Sequence, residues 1–108
     1  MYINNTVMKF KNLVFISHPV TPDSGIMAKI KLDNGLEVSV ICGENYYSSS
    51  REGHKASCTR AGDAVSYEVL ISGMVGDKNF LGMNQISEGW QSKEDIDNLM
   101  EKYGAIEG

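Results

Sequence analysis

The sequence has no hydrophobic run long enough to cross a membrane and no segment typical of a secretion signal. Among its 108 residues, no stretch of about 18 consecutive apolar residues occurs. Residues 1–11 are mostly polar and lack the apolar stretch of about 7 to 15 residues that secretion requires. The sequence therefore predicts a soluble cytoplasmic protein without membrane contact.

Cysteine and histidine are scarce, with two residues of each type. In a cytoplasmic protein, Cys42 and Cys58 are expected to be reduced thiols rather than a disulfide. With His18 and His54 they are residue types that bind zinc, but no CxxC or HxxxH spacing places two ligands on one turn. We expect a buried thiol at Cys42, an accessible thiol at Cys58, and no metal or other cofactor.

The chain also lacks an excess of basic residues. It has 10 Lys and Arg against 14 Asp and Glu, for a net charge of -4. Because proteins that hold nucleic acid through its phosphates need a basic patch, nucleic-acid binding is disfavoured. The acidic residues near the C-terminus are Glu88, Glu94, Asp95, Asp97 and Glu101. We expect them to form a solvated helix face, with imitation of DNA phosphates as an alternative.

A β-hairpin is the clearest local pattern, because apolar and polar residues alternate on both sides of a turn within residues 26–42. A two-residue turn would pair Leu32 with Glu37 and mix the two faces of the sheet. A three-residue loop pairs Leu32 with Leu36, so that the apolar sets coincide. The hairpin is therefore expected to have a three-residue loop, with Gly35 in its left-handed last position.

Two further segments have the composition of strands. Residues 13–16 are β-branched and aromatic and stop before Pro19, which predicts a first strand. Residues 64–72 alternate, and the expected core face consists of Val65, Tyr67, Val69 and Ile71. A weaker pattern suggests a short edge strand at residues 79–81.

The C-terminal segment carries the signals of an amphipathic helix. Ser92 is a suitable N-cap with Asp95 three residues on, and Gly104 follows the predicted last residue, Tyr103. The apolar stripe is Ile96, Leu99, Met100 and Tyr103. It is expected to pack on the sheet face of Ile30, Val38, Val40, Tyr67 and Val69, and Trp90 is expected to close one edge of this core.

These elements predict a single α+β domain over residues 1–108. It consists of a small antiparallel sheet, a meander of about three to five strands, with one C-terminal amphipathic helix packed on one face. Residues 1–7 are expected to be a flexible head, and residues 44–63 a long loop between the second and third core strands.

Three short segments follow one another in an order that matches a known group of proteins. They are Asp33-Asn34-Gly35 followed by Val38-Ser39-Val40-Ile41, then Tyr67-Glu68-Val69, then Gly89-Trp90-x-Ser92-x-Glu94-Asp95-Ile96. This order resembles a group of short uncharacterised bacteriophage proteins, over about residues 8–44 and 66–103. The resemblance implies an α+β fold, a phage or prophage source, and the cytoplasm of an infected or lysogenic bacterium. Its motifs are structural, so it assigns no functional residue.

The 44–63 segment departs from that group and contains good contact residues. They are Tyr46, Tyr47, Arg51, His54 and Arg60. Because Tyr and Arg dominate the energetics of protein interfaces, this loop is expected to bind a partner. An ordinary mobile loop and a pair of extra strands are the alternatives. A second interpretation combines Cys58 as a nucleophile with His54 as its base and Asp63 as the orienting acid, which would make a small enzyme.

The face of the sheet away from the helix is also expected to be apolar. Its members are Val14, Ile16, Met27, Ile41 and Leu70, with Ile41 at the centre. A single helix covers only one face, and a monomer normally leaves no apolar patch of this size in water. The loop, the head or a second chain is therefore expected to cover it, and a homodimer is one such arrangement.

The sequence thus favours a non-catalytic, phage-type accessory protein that acts by binding another protein, either a host protein or a second copy of itself. Inhibition of a host or defence protein would be one such role. A small enzyme, or a nucleotide- or small-ligand-binding module that uses the 44–63 loop, is the first alternative. An acidic nucleic-acid mimic is the second.

Overall fold

The computed structural model describes residues 8–77 and 85–107, which adopt the α+β arrangement that the sequence predicts. The strands are β1 (Ile16–Ser17), β2 (Gly25–Lys31), β3 (Glu37–Gly43), β4 (Ser49–Ser50), β5 (Gly53–His54), β6 (Ala64–Ser72) and β7 (Gln85–Gln91). Helix α1 spans Lys93–Gly104, and 3₁₀ turns lie at Phe10–Asn12 and Ala61–Asp63. Within these residues, no helix is both long and apolar enough to span a bilayer.

The predicted meander is confirmed, with a hairpin inserted in it. Strands β1, β2, β3, β6 and β7 lie side by side in chain order, and each pair is antiparallel. The inserted hairpin of β4 and β5 lies between β3 and β6 in the sequence. β3 pairs with the second part of β6, and β4 pairs with its first part. The insertion is therefore an extension of the sheet.

The β2–β3 hairpin has the predicted register. Its cross-strand pairs include Ala28 with Val40, Ile30 with Val38 and Lys31 with Glu37. The amide of Leu32 donates to the carbonyl oxygen of Leu36 at 2.7 Å, which closes the three-residue loop. Gly35 has a φ of 105°, a conformation that residues with a Cβ rarely adopt. The alternation of apolar residues therefore predicted the length of the hairpin loop correctly.

The core lies on one face of the sheet and is closed by α1 together with the N-terminal segment. Its buried members include Ile26, Leu36, Val38, Val40, Cys42, Tyr67, Val69, Ile71, Ile96 and Met100. Phe10 and Phe15 pack on the ring of Tyr67, with centroid distances of 5.3 and 5.5 Å. The amide of Phe10 donates to Asp97 Oδ1 in α1 at 2.7 Å, which joins the two covering segments.

The predicted capping of α1 is confirmed, whereas its C-terminus differs. The amide of Asp95 donates to Ser92 Oγ at 3.0 Å, and the amide of Ser92 donates to Asp95 Oδ2 at 2.9 Å. The helix continues through Gly104 and is followed by Ala105 in a right-handed conformation. The prediction of Gly104 as a left-handed cap is therefore wrong.

The predicted first strand at residues 13–16 is wrong in its position. β1 comprises only Ile16–Ser17, while Leu13 and Phe15 pack against the core. The apolar composition that suggested a strand thus serves core packing instead. The predicted edge strand at residues 79–81 and the head at residues 1–7 lie outside the described residues.

Strand β7 was not predicted, because its sequence, QISEGWQ, lacks regular alternation and contains a glycine. Two of the residues expected in the core also lie outside it. Trp90 is 46% exposed and Val65 is exposed. Val65 lies in the part of β6 that pairs with β4, before the buried alternation begins at Tyr67.

Replacing Gly35 by Ala should lower the free energy of unfolding by about 1 to 2 kcal/mol. The new Cβ would meet a φ of 105° and would lie only 2.8 Å from the carbonyl oxygen of Met74. Thermal unfolding is the measurement, with Gly62→Ala as the matched control because nothing lies within 4 Å of a Cβ there. Equal melting temperatures for Gly35→Ala and the wild type would contradict the loop assignment.

Candidate functional site

The 44–63 segment, expected to be one long loop, has regular structure at its centre. A turn at residues 44–47 leads into the β4–β5 hairpin, and the Ala61–Asp63 turn leads into β6. Ser48, Ser49 and Ser50 are buried, so the base of the insertion is packed against the rest of the domain. The five predicted contact residues of this segment consequently have different neighbours and do not form one surface.

Tyr46 has a structural position, because its ring stacks on His18 with a centroid distance of 5.1 Å. Its hydroxyl lies 3.2 Å from Thr21 Oγ1 and 3.3 Å from His18 Nε2. The ring lies over Gly25 and Gly43, where a Cβ would come within 3.4 and 3.3 Å of it. Tyr46 therefore fixes the start of the insertion and is half-buried.

Arg51 and Arg60 share one acidic partner, Asp63. Their guanidinium groups lie 3.2 and 3.5 Å from its two carboxylate oxygens, and the amide of Arg51 donates to the carbonyl oxygen of Asp63 at 2.8 Å. Both arginine side chains are solvent-exposed, so these ion pairs contribute little to stability. They leave the cationic groups accessible.

Tyr47 and His54 meet Trp90, which comes from β7, and together with Lys55 they form an exposed group that we call the Trp90 cluster. The ring centroids of Tyr47 and Trp90 are 5.4 Å apart, and those of His54 and Trp90 are 6.2 Å apart at nearly a right angle. Lys55 Nζ lies 4.8 Å from the Tyr47 ring. Tyr47 is 50% exposed and Trp90 is 46% exposed.

The position of Trp90 results from an irregularity in the β6–β7 pairing. Tyr67 pairs with Gln91 and Val69 with Glu88, so Gly89 and Trp90 together face one residue of β6, as in a β-bulge. Trp90 has a φ of 49°, which costs a residue with a Cβ about 1 kcal/mol or more. Its amide donates to the carbonyl oxygen of Tyr47 at 2.8 Å, which holds this conformation.

Gly89 allows Tyr47 to approach β7, because a Cβ at Gly89 would lie 2.7 Å from Tyr47 Cβ. The amide of Tyr47 donates to Glu68 Oε1 at 3.1 Å, and the hydroxyl of Ser87 donates to the other oxygen of that carboxylate at 3.3 Å. His54 Nδ1 lies 2.8 Å from Ser49 Oγ, which orients the imidazole. The Trp90 cluster is thus supported by hydrogen bonds from three strands.

Sequence reasoning identified Tyr47 and His54 as contact residues but missed Trp90 and Lys55. Trp90 was expected in the core because aromatic side chains are usually buried. The only local signal against burial was Gly89, since a glycine inside a strand often marks a bulge or a close approach. Nothing in the spacing of residues 47, 54 and 90 indicated that they meet.

The residues of the nucleophile hypothesis have separate partners. His54 pairs with Ser49, Asp63 pairs with Arg51 and Arg60, and the thiol of Cys58 donates to the carbonyl oxygen of Arg60 at 3.3 Å. Over residues 8–77 and 85–107, no three His, Cys, Asp or Glu side chains are grouped closely enough to hold a metal ion.

Both cysteines are buried, which corrects the expectation of an accessible thiol at Cys58. Burial, and secondarily the neighbouring Cys58, raises the pKa of Cys42 to about 12. Burial and then the nearby cysteines raise the pKa of Tyr67 to about 12. The hydroxyl of Tyr67 has no hydrogen-bond partner in the described part of the chain. Cys42 and Tyr67 are therefore neutral at physiological pH.

A small open cleft lies beside the aromatic packing of the N-terminal segment. Its volume is about 300 Å³, and it is lined by Phe10, Lys11, Leu13, Phe15, Ala61, Gly62, Tyr67 and Lys93. This volume is at the lower limit of small-ligand sites, which are typically about 300 to 1,000 Å³. The cleft does not include the predicted contact residues of the 44–63 segment.

The second face of the sheet is less open than the sequence suggested. Ile41 was expected at the centre of an exposed patch, but it is only 5% exposed in the single chain. It lies between Met27 and Glu68 in one cross-strand row, and the Tyr46 ring covers Gly43 further along the same face. Met27 and Leu70 are half-buried, and the exposed members of the patch are Val14 and Ile16.

Comparisons with family models, with curated proteins and with solved structures find no match to this chain.

Alkaline pH should destabilise the fold through Cys42 and Tyr67. Their ordinary pKa values of 9.0 and 10.0 rise to about 12 in the folded state, so the unfolded chain loses these protons first. The contribution of these two protonated groups to the stability of the fold is fully present below pH 9, and it is lost as the pH rises towards 12. Between the ordinary pKa of each group and its raised pKa in the folded state, the free energy of unfolding should fall by about 1.4 kcal/mol per pH unit for that group.

Denaturant unfolding between pH 8 and pH 11 is the measurement, and Cys42→Ala is the control. The free energy of unfolding of the variant should fall less steeply with pH, because one of the two groups is absent and the rest of the sequence is unchanged. Parallel curves for the variant and the wild type would contradict the assigned shift of Cys42.

Proposed function

We propose that this chain is a non-catalytic protein-binding module that contacts its partner through the Trp90 cluster. The observation that carries the proposal is Trp90 itself. The only tryptophan of the chain is half-exposed in a left-handed backbone conformation, in contact with an equally exposed tyrosine. Strained, well-supported residues of this kind are concentrated at functional sites.

The composition of the Trp90 cluster is that of an interface hot spot. Trp and Tyr side chains each bury about 150 to 250 Å² when fully enclosed. Both also carry a polar group that water can solvate while the ring is still exposed in the unbound protein. Covering the exposed half of each ring would contribute about 2 kcal/mol by area. The backbone amides of Tyr47 and Trp90 are already bonded to Glu68 and to the Tyr47 carbonyl oxygen, and the His54 ring is bonded to Ser49, so little ordering of the backbone would be required on binding.

The partner that fits this surface is a protein with an apolar recess for the indole and acidic groups at its edge. Lys55 lies over the Tyr47 ring, and the exposed guanidinium groups of Arg51 and Arg60 belong to the same insertion. The ammonium group of Lys55 beside the aromatic centre favours a partner with a carboxylate at the rim of its recess.

The biological setting in this proposal is that of a phage-type accessory protein in the bacterial cytoplasm, with a host or defence protein as its partner. It rests on the sequence resemblance alone. The alternative of an acidic nucleic-acid mimic has less support, because Asp95 caps α1 and Asp97 accepts the amide of Phe10. Two of the five acidic side chains are thus used in holding the fold.

The binding proposal predicts that Trp90→Gly and Tyr47→Ala reduce retention of the partner from host-cell extract by about 30-fold, the scale of a hot-spot residue. Glycine suits the φ of 49° at position 90, so this variant should fold. The measurement is quantitative recovery of the co-purified protein on immobilised variants, with circular dichroism to verify folding.

Val20→Ala is the matched control, because Val20 is exposed and lies in a turn outside the cluster. It should retain the partner at the wild-type level. Full retention by both Trp90→Gly and Tyr47→Ala would refute the assignment of the cluster as the contact surface.

Self-association through the second sheet face is a separate proposal, now restricted to the exposed Val14 and Ile16 with the half-buried Met27 and Leu70. If it buries about 800 Å² per subunit, the dimer should persist at micromolar concentration. Ile16→Lys should then give a folded monomer, since Ile16 is exposed in the single chain. Sedimentation tests this, with Val20→Lys as the control, and a wild-type protein that is monomeric at every concentration would exclude the dimer.

A further inference from the structure

The two cysteines of this chain meet in the core, although 15 residues separate them in the sequence. Both are almost completely buried and belong to the same apolar cluster. Burial first, and then the neighbouring Cys58, raises the pKa of the Cys42 thiol. The thiol of Cys42 donates to the carbonyl oxygen of Ser49, and that of Cys58 donates to the carbonyl oxygen of Arg60.

Backbone hydrogen bonds hold Cys58 beside the end of β3. The amide of Cys58 donates to the carbonyl oxygen of Ser24 at 3.0 Å, and the same oxygen accepts the amide of Glu44 at 3.3 Å. A Cβ at Gly43 would lie 2.6 Å from that oxygen, so the end of β3 passes directly beside it. Cys58 is therefore anchored next to the end of the strand that carries Cys42.

We propose that Cys42 and Cys58 form an intramolecular disulfide site, oxidised by a small disulfide such as oxidised glutathione. One cysteine thiolate attacks the glutathione disulfide and releases one glutathione thiolate. The second cysteine attacks the resulting mixed disulfide and releases the other. The two cysteines lose two protons and two electrons, and one oxidised glutathione becomes two reduced glutathione molecules.

The bond would close residues 43–57 into a covalent loop. This loop contains Tyr47, His54 and Lys55, three of the four residues of the Trp90 cluster. A cross-link around a loop of about 15 residues restricts the unfolded chain and raises stability when the native geometry accepts it. It would also fasten both ends of the inserted hairpin to the sheet, and in this respect the inference bears on the proposed function.

Burial determines when the bond forms. Both sulfur atoms are shielded in the folded protein, so an external disulfide has little access to them and the folded dithiol should react slowly. During folding the thiols are accessible before the core closes. Cross-linking is therefore expected chiefly when the chain folds in an oxidising environment, whereas a chain folded in a reducing compartment keeps the dithiol.

The test is refolding of the reduced, denatured chain in a glutathione redox buffer, in parallel with refolding in excess reductant. Protein refolded in the redox buffer should lose about 2 Da, without added glutathione, and should show no free thiol when titrated in denaturant. Peptide mapping should join the segments that contain Cys42 and Cys58. The melting temperature should be higher than that of the dithiol form by about 10 °C.

Cys42→Ala and Cys58→Ala are the controls, and each should melt at the same temperature after either refolding treatment. Wild-type protein that folds in the redox buffer and retains two free thiols would overturn the proposal. So would a cross-linked protein that melts below the dithiol form, because the native geometry would then resist the bond. Neither readout requires a binding partner, so failure here is distinguishable from failure of the proposed function.

Discussion

The fold depends on an apolar row that crosses the three central strands. Ala28, Val40 and Val69 pair in one line across β2, β3 and β6, and all three are almost completely buried. The helix residues Ile96 and Met100 belong to the same core. A 12-residue helix would be marginal in water by itself, so α1 depends on packing in this core for its stability. The row in turn requires the β2–β3 register that the Gly35 loop imposes.

On the opposite face of the sheet, glycines allow the tyrosine side chains of the insertion to pack directly against the strands. The Tyr46 ring lies over Gly25 and Gly43, and Tyr47 lies against Gly89. These positions let the start of the insertion lie directly on the sheet. Its two tyrosines consequently have different roles, because Tyr46 is held by His18 and Thr21 whereas Tyr47 remains half-exposed beside Trp90.

Periodic patterns in the sequence predicted the elements that depend on local rules. The hairpin register, the extent of β6 and the reciprocal capping of α1 by Ser92 and Asp95 all follow from alternation or from fixed spacing. Strand β7 has no such pattern, because its pairing with β6 contains an irregularity. The Trp90 cluster joins residues from two separate segments, so its formation depends on tertiary contacts that no local rule encodes.

Strand β6 connects the buried thiols to the exposed aromatic surface through two consecutive residues. Tyr67 points into the core near Cys42 and Cys58, while Glu68 points to the other face and accepts the amide of Tyr47. Because successive strand residues face opposite sides, a shift of β6 by one residue would exchange these roles. It would bring a carboxylate to the thiols and deprive Tyr47 of its hydrogen-bond acceptor. The registers of β6 with β3 and with β4 therefore stabilise the core and position the candidate interface at the same time.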